Sequence, residues 1–216
     1  MGAFVVKTPS SNSGELDWGV ATRAFPGEEK SGDKHFVART STGWLLAVAD
    51  GLGHGPEAAA ASRALVEVLE QHTGEAPVEL IRLCHEALKN TRGSAAAVVT
   101  IDRERCLLSW AGVGNVEGVI RHAPPASLPT QYITMRGGIV GYRLPGLLSS
   151  FLPLQDGDTL ALATDGIGGD FVRAVDLPYP PDRLARHILD HYAKPTDDAL
   201  VLVARWRFPS QGVSPP

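Results

Sequence analysis

The sequence has few cysteines, few aromatic residues and no long apolar segment. Two of its 216 residues are cysteine and 6% are aromatic. Cys84 and Cys106 are too few for a disulfide framework, and their spacing does not fit a cysteine-type zinc site. No apolar run approaches the roughly 20 residues that a membrane-spanning helix needs, and the N-terminus lacks the pattern of a signal peptide. These absences predict a cytoplasmic protein with no membrane partner.

The chain also lacks a large excess of positive or negative charge. The chain carries 20 Lys and Arg residues against 24 Asp and Glu residues, for a net charge of -4. Without a basic run we expect no nucleic-acid partner. The hydrophobic share of 44% suits one sizeable core. No linker composition interrupts the chain, so we predict a single domain over residues 1–208 and a flexible tail over residues 209–216.

Predicted strands and helices occur in blocks rather than in alternation. The predicted order is strands over 35–39 and 44–50, helices from 56 and over 78–90, strands over 94–101, 106–111, 116–121, 132–135, 146–152 and 159–163, a helix from 181, and a strand over 199–208. Regular alternation would indicate a doubly wound parallel sheet, whereas this order favours antiparallel sheets with helices packed outside. We therefore predict an α+β fold.

Aspartates stand where apolar strands end or begin. Asp50 follows LLAVA, Asp165 follows TLALAT, and Asp197 and Asp198 precede ALVLVARW, with a weaker case at Asp33 in KSGDKHF. A carboxylate at the edge of a sheet core is costly without a counter-charge. Hard cations such as Mg²⁺ and Mn²⁺ prefer such oxygen ligands. Asp-Gly is also a common turn dipeptide, and spacing alone does not show that these acids meet.

The segment DGLGHG also raises the alternative of a nucleotide-binding loop between a strand and a helix. The dinucleotide fingerprint is G-x-G-x-x-G, followed by a second strand with an acid. Here the third glycine comes one position early, and the first predicted helix is followed by another helix. This context disfavours nucleotide binding.

Several motifs together resemble the metal-dependent Ser/Thr phosphatases of the PP2C class. They are AVADGLGHG, RGSAAAVV, WAGVGNVEGVI, LATDGI and TDDALVLV, in the order in which that class has them. The short chain and DGLGHG resemble the bacterial SpoIIE-type branch, and within it the small stressosome phosphatases of the RsbX type. The resemblance covers residues 31–203. It implies a PP2C-like αββα four-layer sandwich, in which two packed antiparallel sheets are flanked by helices.

The resemblance also implies two divalent metal ions, Mn²⁺ or Mg²⁺, at one end of the sandwich. Asp50 would bridge both ions, and the carbonyl of Gly51 would bind one of them. Asp165 and Asp197 would bind the other ion. Asp33 would reach the ions through water.

Three further residues follow from the same resemblance. Asp198 stands where many relatives have Asn, and it would support the site from behind by holding Asp197 or a water. Asn115 replaces an aspartate of the class, so it would lie behind the ligands, and a neutral amide makes a third ion doubtful. His54 could protonate the leaving oxygen, since its pKa suits that task, or it could only line the entrance of the helix.

The implied activity is that of a phosphoric monoester hydrolase. A metal-bound hydroxide would attack the phosphorus of a phosphorylated serine or threonine. By resemblance the substrate is a phosphorylated STAS-domain regulatory protein of the stressosome, in bacterial stress signalling, and the phosphatase is a monomer. Two alternatives remain open. One is a phosphatase of a phosphorylated anti-anti-sigma factor, and the other is a pseudo-phosphatase that binds partners without turnover, against which the intact acids argue.

Overall fold

The computed structural model describes residues 4–6, 15–124 and 128–208. The strands are β1 (Phe4–Val6), β2 (Leu16–Arg23), β3 (Asp33–Arg39), β4 (Gly43–Gly51), β5 (Ser94–Asp102), β6 (Leu107–Val113), β7 (Glu117–Arg121), β8 (Gln131–Tyr132), β9 (Ser150–Pro153), β10 (Thr159–Ala163) and β11 (Ala199–Trp206). The helices are α1 (Pro56–Gln71), α2 (Pro77–Ala87) and α3 (Pro181–Tyr192), with a 3₁₀ helix at Gly169–Asp176. The predicted tail, 209–216, lies outside the described residues, and the predicted domain limits stay a prediction.

The strands form two sheets in which every described pairing of named strands is antiparallel. One sheet has six strands in the order β1-β2-β11-β10-β7-β8, and the other has five in the order β3-β4-β5-β6-β9. The antiparallel pairing confirms the fold class predicted from the order of elements. It also removes the parallel strands that a dinucleotide-binding unit requires.

Strand β4 shows how the two sheets are covered. Trp44 and Leu46 belong to the core between the sheets, whereas Leu45 and Ala47 pack with residues of α1 and α2. Successive side chains of a strand point to opposite faces. A strand that is covered on both faces must therefore be apolar at nearly every position, as this one is.

The helices form the outer two layers of the molecule. Helices α1 and α2 pack on the five-stranded sheet, and α3 and the 3₁₀ helix pack on the six-stranded sheet. Each α-helix begins with a proline, namely Pro56, Pro77 and Pro181. Proline suits the first turn because its fixed φ is helical and its missing N–H would have no partner there. The layers confirm the predicted αββα sandwich.

Some elements differ from the sequence prediction. Strand β2 and the 3₁₀ helix were not predicted, and the strands expected over 132–135 and 146–152 are only the short β8 and β9. The segment between β8 and β9 is bound through isolated bridges instead, such as the one between Ser94 and Val140. Among the described residues, no helix combines the length and the apolar character needed to cross a membrane.

Candidate metal centre

Two of the predicted acids face each other across one ladder. Asp33, the first residue of β3, pairs with Asp50 near the end of β4. Asp33 is only 3% exposed. Its carboxylate accepts a hydrogen bond of 2.7 Å from the hydroxyl of Thr164, which follows β10 in the other sheet. The hydroxyl therefore ties the acid pair to the opposite sheet.

The other acids reach the same end of the sandwich through the six-stranded sheet. Asp165 lies just beyond β10, and Asp197 and Asp198 lie just before β11, the antiparallel neighbour of β10. The end of one antiparallel strand and the start of the next share an edge of the sheet. Backbone and side-chain hydrogen bonds between Thr164 and Leu200 continue the pairing to this edge.

The acids are close enough to act on one another electrostatically. Burial, followed by repulsion from Asp165, Asp197 and Asp198, raises the pKa of Asp50 to about 7. Burial and then the charge of Asp50 raise the pKa of Asp33 well above its usual range. Burial and then Asp165 also raise the pKa of Asp197. The structure therefore gathers the predicted acids into one cluster, where repulsion between carboxylates adds to burial in raising the pKa values of Asp33, Asp50 and Asp197.

The residues of this cluster fit a hard divalent cation by their chemistry. Carboxylate oxygens converge from both sheets, and their mutual repulsion is of the kind that a cation offsets. Among the described residues, no three side chains of His, Cys, Asp or Glu are grouped as a site that could already hold an ion. The fit is one of donor type and position rather than of a closed coordination shell.

The glycines of DGLGHG are needed for two different structural reasons. At Gly51, a Cβ atom would lie 2.1 Å from the carbonyl oxygen of Ala58, so β4 approaches α1 closely there. Gly53 and Gly55 have φ values of +81° and +80°, a conformation that glycine adopts without strain. The glycines build the corner between β4 and α1, and this corner places Asp50 and Gly51 at the acid cluster.

Asp198 holds a loop rather than a neighbouring acid. Its carboxylate is 3% exposed and accepts hydrogen bonds from the N–H groups of Phe25 at 2.8 Å and Gly32 at 3.0 Å. Among the described residues the partners of its carboxylate are these two amides rather than Asp197, and the role of Asp198 behind the ligands, holding Asp197 or a water, stays a prediction. The contact runs the other way, since the N–H of Asp198 donates to Oδ1 of Asp197 at 2.9 Å.

Asp165 is held by two neighbours, only one of which was predicted. The side-chain amide of Asn115 donates to its carboxylate. The ammonium of Lys194 donates to its backbone carbonyl and partly offsets the burial and the Asp165 repulsion that raise the pKa of Asp197. Lys194 and Thr164 were missed from the sequence. Both were visible as polar residues beside the acids, in AKPTDD and LATDGI.

His54 lies between β4 and α1, within the glycine corner. Its ring stacks on Phe25, with centroids 4.3 Å apart and planes 9° apart. Its Nδ1 is 3.2 Å from Oε1 of Glu28, and about half of the side chain is exposed. These contacts hold the loop before β3, which carries Phe25 and Glu28, against the corner, and the role of His54 as an acid stays a prediction.

Comparison with known proteins identifies the family to which the chain belongs. Residues 40–207 match the family described as stage II sporulation protein E (SpoIIE). The phosphoserine phosphatase RsbX of Bacillus subtilis (strain 168) is 34% identical over 98 residues, which are 45% of this chain and 49% of RsbX. The match thus spans about half the length of this curated relative.

Solved structures extend the similarity to nearly the whole chain. A chain described with the bacterial stressosome, "a modular system that has been adapted to control secondary messenger signaling", has a TM-score of 0.81 and 34% identity, covering 88% of this chain and 100% of its own. RsbX in complex with magnesium has a TM-score of 0.81 at 22% identity, covering 95% and 100%. The PP2C phosphatase domain of Bacillus subtilis SpoIIE, with a fragment of its regulatory domain, has a TM-score of 0.74 at 20% identity, covering 92% and 65%. The last two show the fold, and the family model covers well over half of the sequence. The chain belongs to the SpoIIE family and has the fold of its PP2C phosphatase domain.

Proposed function

We propose that this protein is a metal-dependent protein serine/threonine phosphatase. The observation that carries the proposal is the acid cluster, in which burial and mutual repulsion raise the pKa values of Asp33, Asp50 and Asp197. A cluster of this kind at one end of a sandwich favours a divalent-ion centre. Family membership agrees, because the relative RsbX is a phosphoserine phosphatase and an RsbX structure contains magnesium.

The proposed centre holds two ions, Mg²⁺ or Mn²⁺. Asp50 and the carbonyl of Gly51 would serve the first ion, and Asp50, Asp165 and Asp197 the second, with Asp33 behind them. When bound, the ions would supply an activated water and offset charge on the phosphoryl oxygens.

The chain's own residues would position these ligands and the substrate. The hydrogen bond from Asn115 to the carboxylate of Asp165 orients that side chain. The hydroxyl of Thr164 fixes one oxygen of Asp33. At the rim, His54 would give a proton to the departing serine or threonine oxygen. A supported ligand loses less freedom when it binds an ion, which strengthens binding.

The proposed substrate is a phosphorylated STAS-domain protein of the stressosome. Similarity to RsbX and to the chain described with the stressosome supports this choice. The proposal places the phosphatase in the cytoplasm as a monomer. A phosphorylated anti-anti-sigma factor would present the same chemical group, so the two substrates are best separated by direct competition in the assay below.

The test is release of inorganic phosphate from a phosphorylated STAS-domain protein, with Mg²⁺, with Mn²⁺ and with EDTA. We expect metal-dependent release that falls by on the order of 100-fold or more in Asp50→Asn, because a bridging ligand is lost. Asp190→Asn is the matched control, since Asp190 is exposed on α3 and is not among the charges that shift the pKa values of Asp33, Asp50 and Asp197. Release that persists in EDTA, or in Asp50→Asn, would overturn the proposal. Metal binding without turnover of either substrate would support a pseudo-phosphatase.

A further inference from the structure

A cavity of about 850 Å³ lies beside the acid cluster. Its walls come from the end of β2, the loop before β3, the start of β3 and helix α1. Asp33 belongs both to this wall and to the acid cluster. A ligand bound at the cluster therefore has its neighbouring atoms next to this cavity.

Four cationic side chains line the cavity, namely Arg23, Lys30, Lys34 and Arg63. Within the described part of the chain, none of the four forms an ion pair with a carboxylate. Arg23 donates to the backbone carbonyl of Lys194, and Lys34 donates to the carbonyls of Ser31 and Asp33 at 3.1 and 3.2 Å. These acceptors carry no formal charge, so the positive charge of the wall is not neutralised by them.

Three carboxylates also line the cavity, and two of them have partners. Glu28 accepts from His54 at 3.2 Å if the ring carries its proton on Nδ1, and Asp33 accepts the hydroxyl of Thr164 at 2.7 Å. The third, Glu29, is exposed. Four cations against three carboxylates leave the lining with an excess of positive charge, and the two exposed cations among them are Lys30 and Arg63.

The lining is not only charged. Phe25, Pro26, Ala59 and Leu200 supply apolar surface between the cations. Such a wall suits the methylene groups of an acidic side chain whose end meets a cation, because long polar side chains bury their stems and expose their charge. A free metal ion would gain nothing from the apolar part of this lining.

We propose that this cavity binds an anionic side chain of the substrate protein, a carboxylate or a second phosphoryl group, next to the residue that is dephosphorylated. The inference rests on the proposed phosphatase function, because it concerns a substrate residue that flanks the phosphorylated serine or threonine. An extended chain advances about 3.3 Å per residue, so a flanking residue reaches the wall when the phosphoryl group is at the acid cluster. Charged groups at the rim of a site contribute mainly to selection among partners.

The test measures binding separately from turnover. Labelled peptides carry a hydrolysis-resistant phosphonate analogue of phosphoserine, flanked by Glu, by Gln or by a second phosphoserine. Binding to the full chain in Mg²⁺ is measured by fluorescence anisotropy. We expect the Glu-flanked or doubly phosphorylated peptide to bind about three- to tenfold more tightly than the Gln-flanked one, as partly exposed charge pairs allow. The two anionic peptides distinguish a carboxylate from a phosphoryl group.

The variants locate the preference in the cavity. In Lys30→Gln/Arg63→Gln the preference should fall to less than about twofold, and glutamine preserves the helix propensity of α1 at Arg63. Arg186→Gln is the matched control, because Arg186 is exposed on α3 and does not line the cavity. With the corresponding phosphoserine peptides, the double variant should raise KM for the acidic peptide and leave kcat unchanged.

The outcomes separate this inference from the proposed function. Equal binding of the acidic and neutral peptides, or a preference that survives in the double variant, overturns the cavity assignment even where hydrolysis proceeds. A preference that depends on Lys30 and Arg63, together with no hydrolysis in either metal, overturns the proposed activity and leaves the anion site standing.

Discussion

The ionised carboxylate of Asp50 would serve the proposed function as a metal ligand, but without metal it destabilises the fold. Its pKa is raised from 3.8 to about 7 in the folded protein. A group with a raised pKa in the folded state favours folding below its unfolded pKa, and this contribution is lost as the pH rises through the folded value. Without metal, the wild-type protein should therefore lose stability relative to Asp50→Asn between about pH 4 and pH 7.

Denaturant unfolding in EDTA checks this expectation. At about pH 8, Asp50→Asn should be more stable than the wild type by about 2 to 4 kcal/mol, since each pKa unit corresponds to about 1.4 kcal/mol. At about pH 4 the two proteins should differ little, and Asp190→Asn should follow the wild type throughout. An Asp50→Asn protein that is no more stable at the higher pH would contradict the assigned repulsion.

Gly51 gives a second prediction at the scale of one residue. Gly51→Ala would bring a Cβ atom to 2.1 Å from the carbonyl oxygen of Ala58, so the backbones of β4 and α1 must move apart. We expect a loss of about 1 to 3 kcal/mol in the free energy of unfolding, as for other overpacked sites. Gly74→Ala is the control, because nothing lies within 4 Å of a Cβ at Gly74. Equal stability of the two variants would show that the corner tolerates the shift.

Between elements, Asp158 fixes the turn before β10 to the end of β7. Its carboxylate accepts hydrogen bonds from the N–H groups of Ala123 at 3.0 Å and Gln155 at 2.9 Å, and it contacts Nδ1 of His122 at 2.9 Å. Asp158→Ala would leave these buried groups without their acceptor. We expect a loss of about 3 to 5 kcal/mol in the free energy of unfolding, as when one partner of a buried pair is removed.

A nearby aspartate provides the comparison for this turn. The exposed Asp156 accepts one hydrogen bond, from the N–H of Phe208, so Asp156→Ala should cost about 1 kcal/mol or less. Both values come from denaturant unfolding at neutral pH. Similar losses in the two variants would mean that burial of the Asp158 carboxylate does not set its contribution.

The elements that could be predicted are those whose cause is local. Strand β4 is apolar because both of its faces are covered, and α1 begins at a proline, so both signals are present in the sequence. Strand β2 reads LDWGVATR and has no such run. It becomes a strand by pairing with β11, which is far away in the sequence.

The candidate site also contains residues that could be predicted from the sequence and residues that could not. Asp50, Asp165 and Asp197 were predicted because an acid next to an apolar strand is visible in the sequence. The positions of Thr164 and Lys194 depend on how the two sheets face each other and on the loop after α3. No pattern of spacing encodes these contacts, and the same is true of the amides that Asp198 binds.

For the whole molecule, the proposed ions should act as ligands of the folded state. A ligand at about 100 times its Kd adds about 2.7 kcal/mol to the free energy of unfolding. For a protein of this size that amounts to a rise of about 5 to 10 °C in Tm. We expect such a rise with Mg²⁺ or Mn²⁺ in the wild type and in Asp190→Asn, and a much smaller one in Asp50→Asn. Differential scanning calorimetry measures it, and an unchanged Tm in saturating metal would argue against the centre.

The contacts of Asp198 have a consequence for how the protein is made. The amides that its carboxylate holds, at Phe25 and Gly32, lie 173 and 166 positions earlier in the chain. During synthesis the first of these positions leaves the ribosome long before the last strand does. The wall of the cavity and the surroundings of Asp33 are therefore complete only after β11 has joined the sheet. A nascent chain has no finished site until that final strand arrives, so the ability to bind a substrate emerges only with the complete sandwich.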